Sequence, residues 1–378
     1  MVLTIVSHTP HYQKEEDIYS WGPTSRELNF LSKIFTEIYH IAPLHTGNIT
    51  NVYKKYESTK IKFIPLKPAG GSKLIDKIDV VLKIAFNLTL IHRYCNKADW
   101  IHLRAPTNIG IYTLPYLTFI SSKKRWVKYA GSWKKNDGSF FYRIQKKWLS
   151  NNYQKSFVTI NGQWENQKKH CISFENPCLT ENELKNAQIS YQNKNYDEKL
   201  SICFVGHMET NKGAEKLLNA LQTDLSNLKL NKVYIVGDGS KRKSYLELAK
   251  SISGVNVDFL GEIDKNQLHK IYEKCHLIIL PSDSEGFPKV IAEAGAYGCV
   301  PIVSKVGSIV HYINSSNGYL LSQNNSRSIY NNLCLVNVSR EHLKSKAKKV
   351  VELSKDFTFE KYTKNIQKLI LKSRGSKS

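Results

Sequence analysis

The stretch Leu280-Pro281-Ser282-Asp283-Ser284-Glu285-Gly286-Phe287-Pro288-Lys289-Val290-Ile291-Ala292-Glu293-Ala294 decides how the rest of the chain is read. The apolar run that ends at Leu280 has the length of a buried strand. A turn-rich loop follows, and after Pro288 an apolar helical pattern begins. A strand that passes through such a loop straight into a helix is a unit of an open α/β sheet, where ligands bind beyond the carboxyl ends of the strands. The loop around Gly286 can turn backbone N–H groups toward an anion, and the start of the helix adds positive potential. Glu285 lies in the loop and Glu293 eight residues on, about 2.2 helical turns away. That spacing lets two carboxylates face one cleft at different depths, and each can accept two hydroxyl hydrogen bonds from a sugar diol. A solvated helix acid does not account for a glutamate inside Val290-Ile291-Ala292-Glu293-Ala294-Gly295-Ala296.

Three segments upstream share the same logic. Ile202-Cys203-Phe204-Val205-Gly206-His207 leads to Lys212-Gly213 at the mouth of another helix, where a cation stands beside free backbone N–H groups. Val236-Gly237-Asp238-Gly239 is a tight turn, and Phe259-Leu260-Gly261 ends a further strand. Taken singly, each is better read as an ordinary solvated turn or strand end.

Together, in this order and spacing over residues 200 to 322, the four segments resemble the retaining glycosyltransferases of the GT4 family, including its E-x7-E signature at Glu285 and Glu293. Val303 to Gly307 and Asn317 to Leu321 are similar to the segments that follow it there. The resemblance implies a nucleotide diphosphate sugar as donor, with Glu285 on the sugar and Glu293 on the ribose. Loop amides from Gly286, Phe287 and Pro288 would hold the diphosphate, Lys212 would neutralise it, and Gly206, Gly237 and Gly261 would line the pocket. His207 stands where the family usually has arginine. The residues Val127 to Trp133 lack the histidine that many members carry there, so that role has no counterpart. The family pattern needs no metal ion and no further cofactor, and Asp283-Ser284-Glu285 is explained by the donor loop.

Strand-length apolar runs alternate with helix-length amphipathic segments along the whole chain, which predicts an α/β fold. The reading is two Rossmann-like domains facing across a cleft (GT-B), with a C-terminal helix crossing back to the first domain. The expected boundaries are 1–178 for the acceptor domain, 179–198 for a polar linker, 199–355 for the donor domain and 356–378 for the final helix. In the first half, strands are expected near residues 3–6, 37–41, 60–65, 100–103, 126–129, 156–160 and 172–175. Helices are expected at 24–35, 73–94, 109–120 and 139–149, with Thr24 and Glu27 forming a capping box. Gly22 loosely resembles the family's glycine loop. Acceptor-side candidates at strand ends are Gly22 and Arg104, with His8, His11, Trp21, Tyr129 and Trp133 behind them.

The 378 residues carry 55 Lys+Arg against 32 Asp+Glu, and residues 1–178 alone hold 26 against 12. The densest cluster runs from Lys123 to Lys147. It suits an anionic membrane surface or a lipid-diphosphate acceptor as well as it suits a plain solvated lysine surface. No zinc finger, RNP pattern or GXXG clamp accompanies it, so nucleic acid is not an expected partner. Seven scattered cysteines without C-x-x-C spacing read as reduced thiols. With no apolar run of membrane-spanning length and no basic n-region at the start, a cytoplasmic location is expected, peripheral at the inner face of the plasma membrane. The functional expectation is a metal-independent hexosyltransferase of cell-surface polysaccharide or lipopolysaccharide assembly, with a saccharide or lipid-linked acceptor. Two alternatives stay open. One is a nucleotide-sugar epimerase of the same fold, and the other is a basic RNA- or membrane-binding protein with a decayed transferase site.

Overall fold

The computed structural model describes residues 1–47, 49–68, 74–133 and 140–375. The chain forms two units, Met1–Phe174 with Thr363–Ser378, and Glu175–Tyr362.

In the first unit, strand β1 (Val2–Val6) is followed by a ribbon of β2 (His11–Lys14) and β3 (Asp17–Trp21). Helix α1 (Gly22–Leu31), β4 (Glu37–His45), β5 (Tyr53–Lys55) and β6 (Ile61–Leu66) come next. Then come α2 (Leu74–Lys97), β7 (Trp100–Ala105), α3 (Gly110–Phe119), β8 (Lys124–Tyr129), α4 (Phe140–Ser150), β9 (Phe157–Ile160) and β10 (Cys171–Ser173). The parallel core of the sheet runs β6-β4-β1-β7-β8-β9-β10, and the ribbon β2-β3-β5 is joined to it through β4. The chain moves in one direction across this sheet through α2, α3 and α4, and in the other through α1. Right-handed crossovers therefore put α2, α3 and α4 in one layer and α1 on the opposite face. Ile91 and Cys95 of α2, Leu114 and Leu117 of α3, and Leu149 of α4 share one core with Val6, Leu103, Val127 and Val158 of the strands.

The second unit begins with α5 (Glu181–Gln192) and continues through β11 (Leu200–Val205), α6 (Ala214–Leu221), β12 (Leu230–Val236), α7 (Arg242–Ala249), β13 (Asn256–Gly261) and α8 (Lys265–Lys274). It then runs through β14 (Leu277–Leu280), α9 (Lys289–Ala296), β15 (Val300–Val303), α10 (Ile309–Tyr312), β16 (Tyr319–Leu320), α11 (Ser326–Val338) and α12 (Arg340–Ser354). Helix α13 (Phe359–Gly375) carries the chain back into the first unit. The sheet is parallel throughout, in the order β13-β12-β11-β14-β15-β16. Connections run outward in one direction from β11 and in the other from β14, so the topological switch point lies between these two neighbouring strands. Each is fully buried along its length, as a central parallel strand must be.

Two expectations are corrected. Of residues 179–198, read as a linker, Glu181–Gln192 form α5 within the second unit. Thr180 accepts from the Glu183 N–H at 3.0 Å and Glu183 accepts from the Thr180 N–H at 2.8 Å, so a capping box holds a helix that buries only Leu184 and Ala187. The capping box expected at Thr24 and Glu27 is absent. Helix α1 starts two residues earlier, at Gly22-Pro23, with no side-chain cap, and Glu27 turns into the interior. The ribbon β2-β3-β5 was not foreseen; its strands are short and partly exposed. The expected helix starts at Lys73 and Ser139, and Lys134, Lys135 and Asp137 of the basic cluster, lie outside the described residues. All seven cysteines are free thiols, six of them buried. Among the described residues, no helix is long and apolar enough to cross a membrane.

Candidate functional site

Beyond the carboxyl end of β11 the chain passes Gly206 and the exposed His207, then makes a 3-10 turn at Thr210–Lys212 before α6. Gly213 joins turn to helix at φ 81°, and a Cβ there would lie 2.2 Å from the Pro281 carbonyl oxygen. The turn after β11 therefore abuts the loop after β14, across the switch point. The Asp283 N–H donates to the Asn211 carbonyl at 2.8 Å and the Ser282 hydroxyl to the Lys212 carbonyl at 3.3 Å. This lacing brings two of the sequence-selected side chains together. The Lys212 ammonium and the Glu285 carboxylate meet at 2.7 Å, with side-chain exposures of 27% and 15%. A second pair, Lys216 with Asp283, stands beside it, and Asn324 donates to the same Asp283 carboxylate.

The loop from Glu285 to Pro288 is clamped from behind by the segment after β15. Both the N–H and the hydroxyl of Ser308 donate to the Gly286 carbonyl at 2.9 Å. Gly307 sits at φ 54°, where a Cβ would come within 1.9 Å of the Glu285 carbonyl oxygen. In a planar trans peptide the C=O and N–H point in opposite directions. Fixing the Glu285 and Gly286 carbonyls toward Gly307 and Ser308 thus turns the N–H groups of Gly286 and Phe287 away from that segment. Two parts of the sequence reading change here. Pro288 has no N–H and serves as the N-cap of α9, so it offers no donor. The Phe287 ring is buried, stacked on Phe357 at 4.8 Å and tilted against Tyr312 at 4.6 Å, so only its backbone can face a ligand. Glu293 lies half-buried on α9; burial pushes the nearby Tyr272 and Tyr297 phenols upward, and the Glu293 carboxylate adds to it.

The glycine turns after β11, β12 and β13 interlock. Gly206 N–H donates to the Val236 carbonyl at 3.0 Å and Gly237 N–H to the Gly261 carbonyl at 2.8 Å. Gly237 has φ 126°, and a Cβ there would lie 2.0 Å from the Gly206 carbonyl oxygen; at Gly239 it would lie 2.7 Å from that of Met208. Gly261, at φ 67°, has nothing within 4 Å of its would-be Cβ. Next to these turns, the Glu209 carboxylate is held below its ordinary range by the backbone N–H and hydroxyl of Ser240, and by His207.

The acceptor-side candidates fall in the first unit. Gly22 is closed in: its N–H donates to the Val52 carbonyl at 3.0 Å and a Cβ would sit 2.6 Å from that oxygen. Its amide is therefore spent on the fold. Arg104, at the end of β7, places Nη2 3.5 Å from the Glu27 carboxylate, while its buried Nη1 has no hydrogen-bond partner. The sequence reading missed the centre of this cluster. Lys128, on β8, donates to both oxygens of the fully buried Glu27 at 2.9 Å. A lysine inside the apolar run Trp126-Val127-Lys128-Tyr129 was the available signal. His11 is buried and fixed between the Thr9 carbonyl and the Tyr56 hydroxyl, and burial lowers it to about 4. Tyr129 is buried, whereas His8 is exposed.

Residues 185–350 match the family model described as Glycosyl transferases group 1. An uncharacterised glycosyltransferase of Methanocaldococcus jannaschii is 27% identical over 185 residues, covering 49% of this chain and 50% of that protein. A Campylobacter jejuni α-1,4-N-acetyl-D-galactosaminyltransferase, named for a diphospho-undecaprenol-linked GalNAc acceptor, is 34% identical over 120 residues, 32% of this chain and 31% of that one. The chain spans about half the length of the curated relatives it matches over the longest stretches. Among solved structures, sucrose-phosphate synthase from Thermosynechococcus elongatus superposes with a TM-score of 0.71 at 17% identity, covering 99% of both chains. Anabaena HepE in complex with UDP and glucose superposes with a TM-score of 0.67 at 15% identity, covering 97% of this chain and 98% of that one. These likenesses show the GT-B fold. The matched stretch, residues 185–350, holds the glycine turns and the E-x7-E segment, and over that stretch the chain is similar to the glycosyl transferases group 1 family.

Proposed function

We propose that the chain is a retaining glycosyltransferase that takes a hexose-type sugar from a nucleotide diphosphate donor bound on the second unit. The observation that carries this reading is the Lys212–Glu285 pair at 2.7 Å, set at the switch point between β11 and β14. Glu285 is assigned to the sugar, Glu293 to the ribose, and the N–H groups of Gly286 and Phe287 to the diphosphate. As the glycosidic bond breaks, negative charge grows on the leaving diphosphate. Lys212, these amides and the amino end of α9 stabilise that charge more in the transition state than before it. This charge compensation is the basis for assigning a metal-independent reaction. The open space beside Gly261 is assigned to the base, with His207 at the rim.

The acceptor is assigned to the first unit, near Arg104. The unpaired buried Nη1 of Arg104 supports an acceptor with a negatively charged or oxygen-rich group. The name of the Campylobacter relative supports a lipid-linked saccharide, and with it a place in cell-surface polysaccharide assembly at the inner membrane face. The UDP in HepE makes UDP the first nucleotide to try.

The test is thermal stabilisation by a panel of nucleoside diphosphates. A ligand at about a hundred times its Kd adds roughly 2.7 kcal/mol. One base should stabilise the wild type, and both Lys212→Met and Glu293→Ala should lose the effect. No stabilisation by any nucleotide sinks the donor site and favours the decayed-site alternative. Release of free sugar without an acceptor would favour the epimerase, and the anomeric configuration of a transfer product decides retention.

A further inference from the structure

Large hydrophobic side chains are unevenly exposed on this molecule. Of the thirteen exposed ones among the described residues, eight fall between Phe86 and Tyr153. Seven of these lie on or at the end of α2, α3 and α4, the layer on one face of the first unit. Phe119 and Ile120, where α3 ends, are 76% and 67% exposed; Phe140 and Phe141, where α4 starts, are 63% and 50% exposed. The patch is continuous. Phe141, Ile144 and Trp148 recur at helical spacing along one flank of α4, and Trp148 meets Phe119 edge-on at 5.9 Å while its indole N–H donates to Thr118 at 3.1 Å. At Phe119 and Ile120 the patch runs into an apolar groove of about 620 Å³ between α2 and α3, floored by Leu88, Tyr112 and Pro115.

Charge collects in the same part of the chain. Residues 81–160 hold 14 Lys+Arg against two Asp+Glu, so this fifth of the chain supplies about half of the net +23. Arg143 and Lys147 stand on α4 beside the apolar flank, and Lys123 and Lys124 follow Ile120 directly. A solvated lysine surface gives no reason for the most exposed phenylalanines to sit among the cations. A protein partner would explain the apolar area, but not this one-sided charge. An aromatic face rimmed by Lys and Arg matches the interface of an anionic bilayer, where rings enter the headgroup region and cations meet the lipid phosphates. We propose that the outer face of the α2–α3–α4 layer docks on an anionic lipid bilayer. Phe119, Ile120, Phe140 and Phe141 enter the acyl boundary, and the α2–α3 groove receives acyl chains of the same leaflet. This inference stands apart from the donor-site reading, since it uses none of those residues.

The experiment is co-sedimentation of the whole chain with phosphatidylcholine vesicles and with vesicles of phosphatidylcholine and phosphatidylglycerol. The wild type should pellet with the mixed vesicles only, and less as salt rises. The pair Phe119→Ser and Phe141→Ser should weaken binding at least about tenfold, with an unchanged melting temperature and unchanged nucleotide stabilisation. The pair Phe119→Trp and Phe141→Trp should keep binding, which guards against a folding defect in the serine variant. Lys123→Gln with Arg143→Gln should weaken binding and flatten its salt dependence. Equal recovery with both vesicle types, or with neither, overturns the proposal. So does a wild-type dimer that the serine pair turns into monomers, because the face is then an interface between copies.

Discussion

Lys128→Met removes the cation that meets both oxygens of Glu27 at 2.9 Å, in a place where the Glu27 side chain has no solvent exposure and that of Lys128 only 8%. Arg104 would stay beside the carboxylate, its Nη2 3.5 Å away on a side chain 17% exposed. Removing one member of a buried pair costs about 3–5 kcal/mol, because the charge left behind is poorly solvated. Replacing both members by apolar residues of similar size is near neutral. The expectation is therefore strongly non-additive. Lys128→Met should cost the first unit about 3–5 kcal/mol. Glu27→Leu should cost a similar amount, since it leaves the largely buried Lys128 and Arg104 cations beside each other without the Glu27 carboxylate. The double variant Glu27→Leu, Lys128→Met should fall within about 2 kcal/mol of the wild type. Urea unfolding followed by circular dichroism gives the stabilities, with nucleotide stabilisation reporting separately that the second unit is intact. A double variant as unstable as the sum of the singles would refute the reasoning, because the cost would then come from lost packing and not from a stranded charge.

The glycine turns make a paired prediction. Gly237→Ala puts a Cβ 2.0 Å from the Gly206 carbonyl oxygen and should abolish nucleotide binding along with at least about 2 kcal/mol of stability. Gly261→Ala meets open space and should cost only the positive-φ penalty of about 1–2 kcal/mol, so urea midpoints should rank the two clearly. Acid should destabilise the fold well above the carboxylate range. Burial holds His11 and His276 down at about 4, His102 at about 3, and His40 well below its ordinary value. Each takes up a proton more readily unfolded, so the stability they contribute is fully present above about pH 6.5 and is lost as pH falls toward about 4. A flat stability profile from pH 7 to 4.5 would contradict this. Thr180→Ala removes the cap of α5 and should cost about 1 kcal/mol, read as a shift in urea midpoint at unchanged slope.

What the sequence showed best was what repeats locally. β1, β11 and β14 are mostly apolar runs buried on both faces, and Gly237, after β12, marks a backbone too crowded for a side chain. The ribbon β2-β3-β5 escaped because His11-Tyr12-Gln13-Lys14 is mixed in polarity and short, and its pairing with β4 is what makes it a strand. Helix α5 escaped because its caps outweigh its apolar stripe. At the candidate site, types and spacing picked out Glu285, Glu293 and Lys212, yet gave no hint that Glu285 and Lys212 pair. That contact joins residues 73 positions apart. The Glu27–Lys128 pair spans 101 positions. Its trace, one lysine in an apolar strand, acquires meaning only with its partner in place.

The return of α13 into the first unit has a consequence for how the protein is made on the ribosome. Ile366, Leu369 and Ile370 are almost fully buried and belong to the unit that begins at Met1, while the second unit is one unbroken segment from Glu175 to Tyr362. At synthesis rates of about 5–20 residues per second, the first unit waits roughly 10–40 seconds for its last piece, over the roughly 190 residues in between. The segment made second can thus finish folding first. A premature stop just before Ile366 would spare that segment and leave the earlier-made unit incomplete.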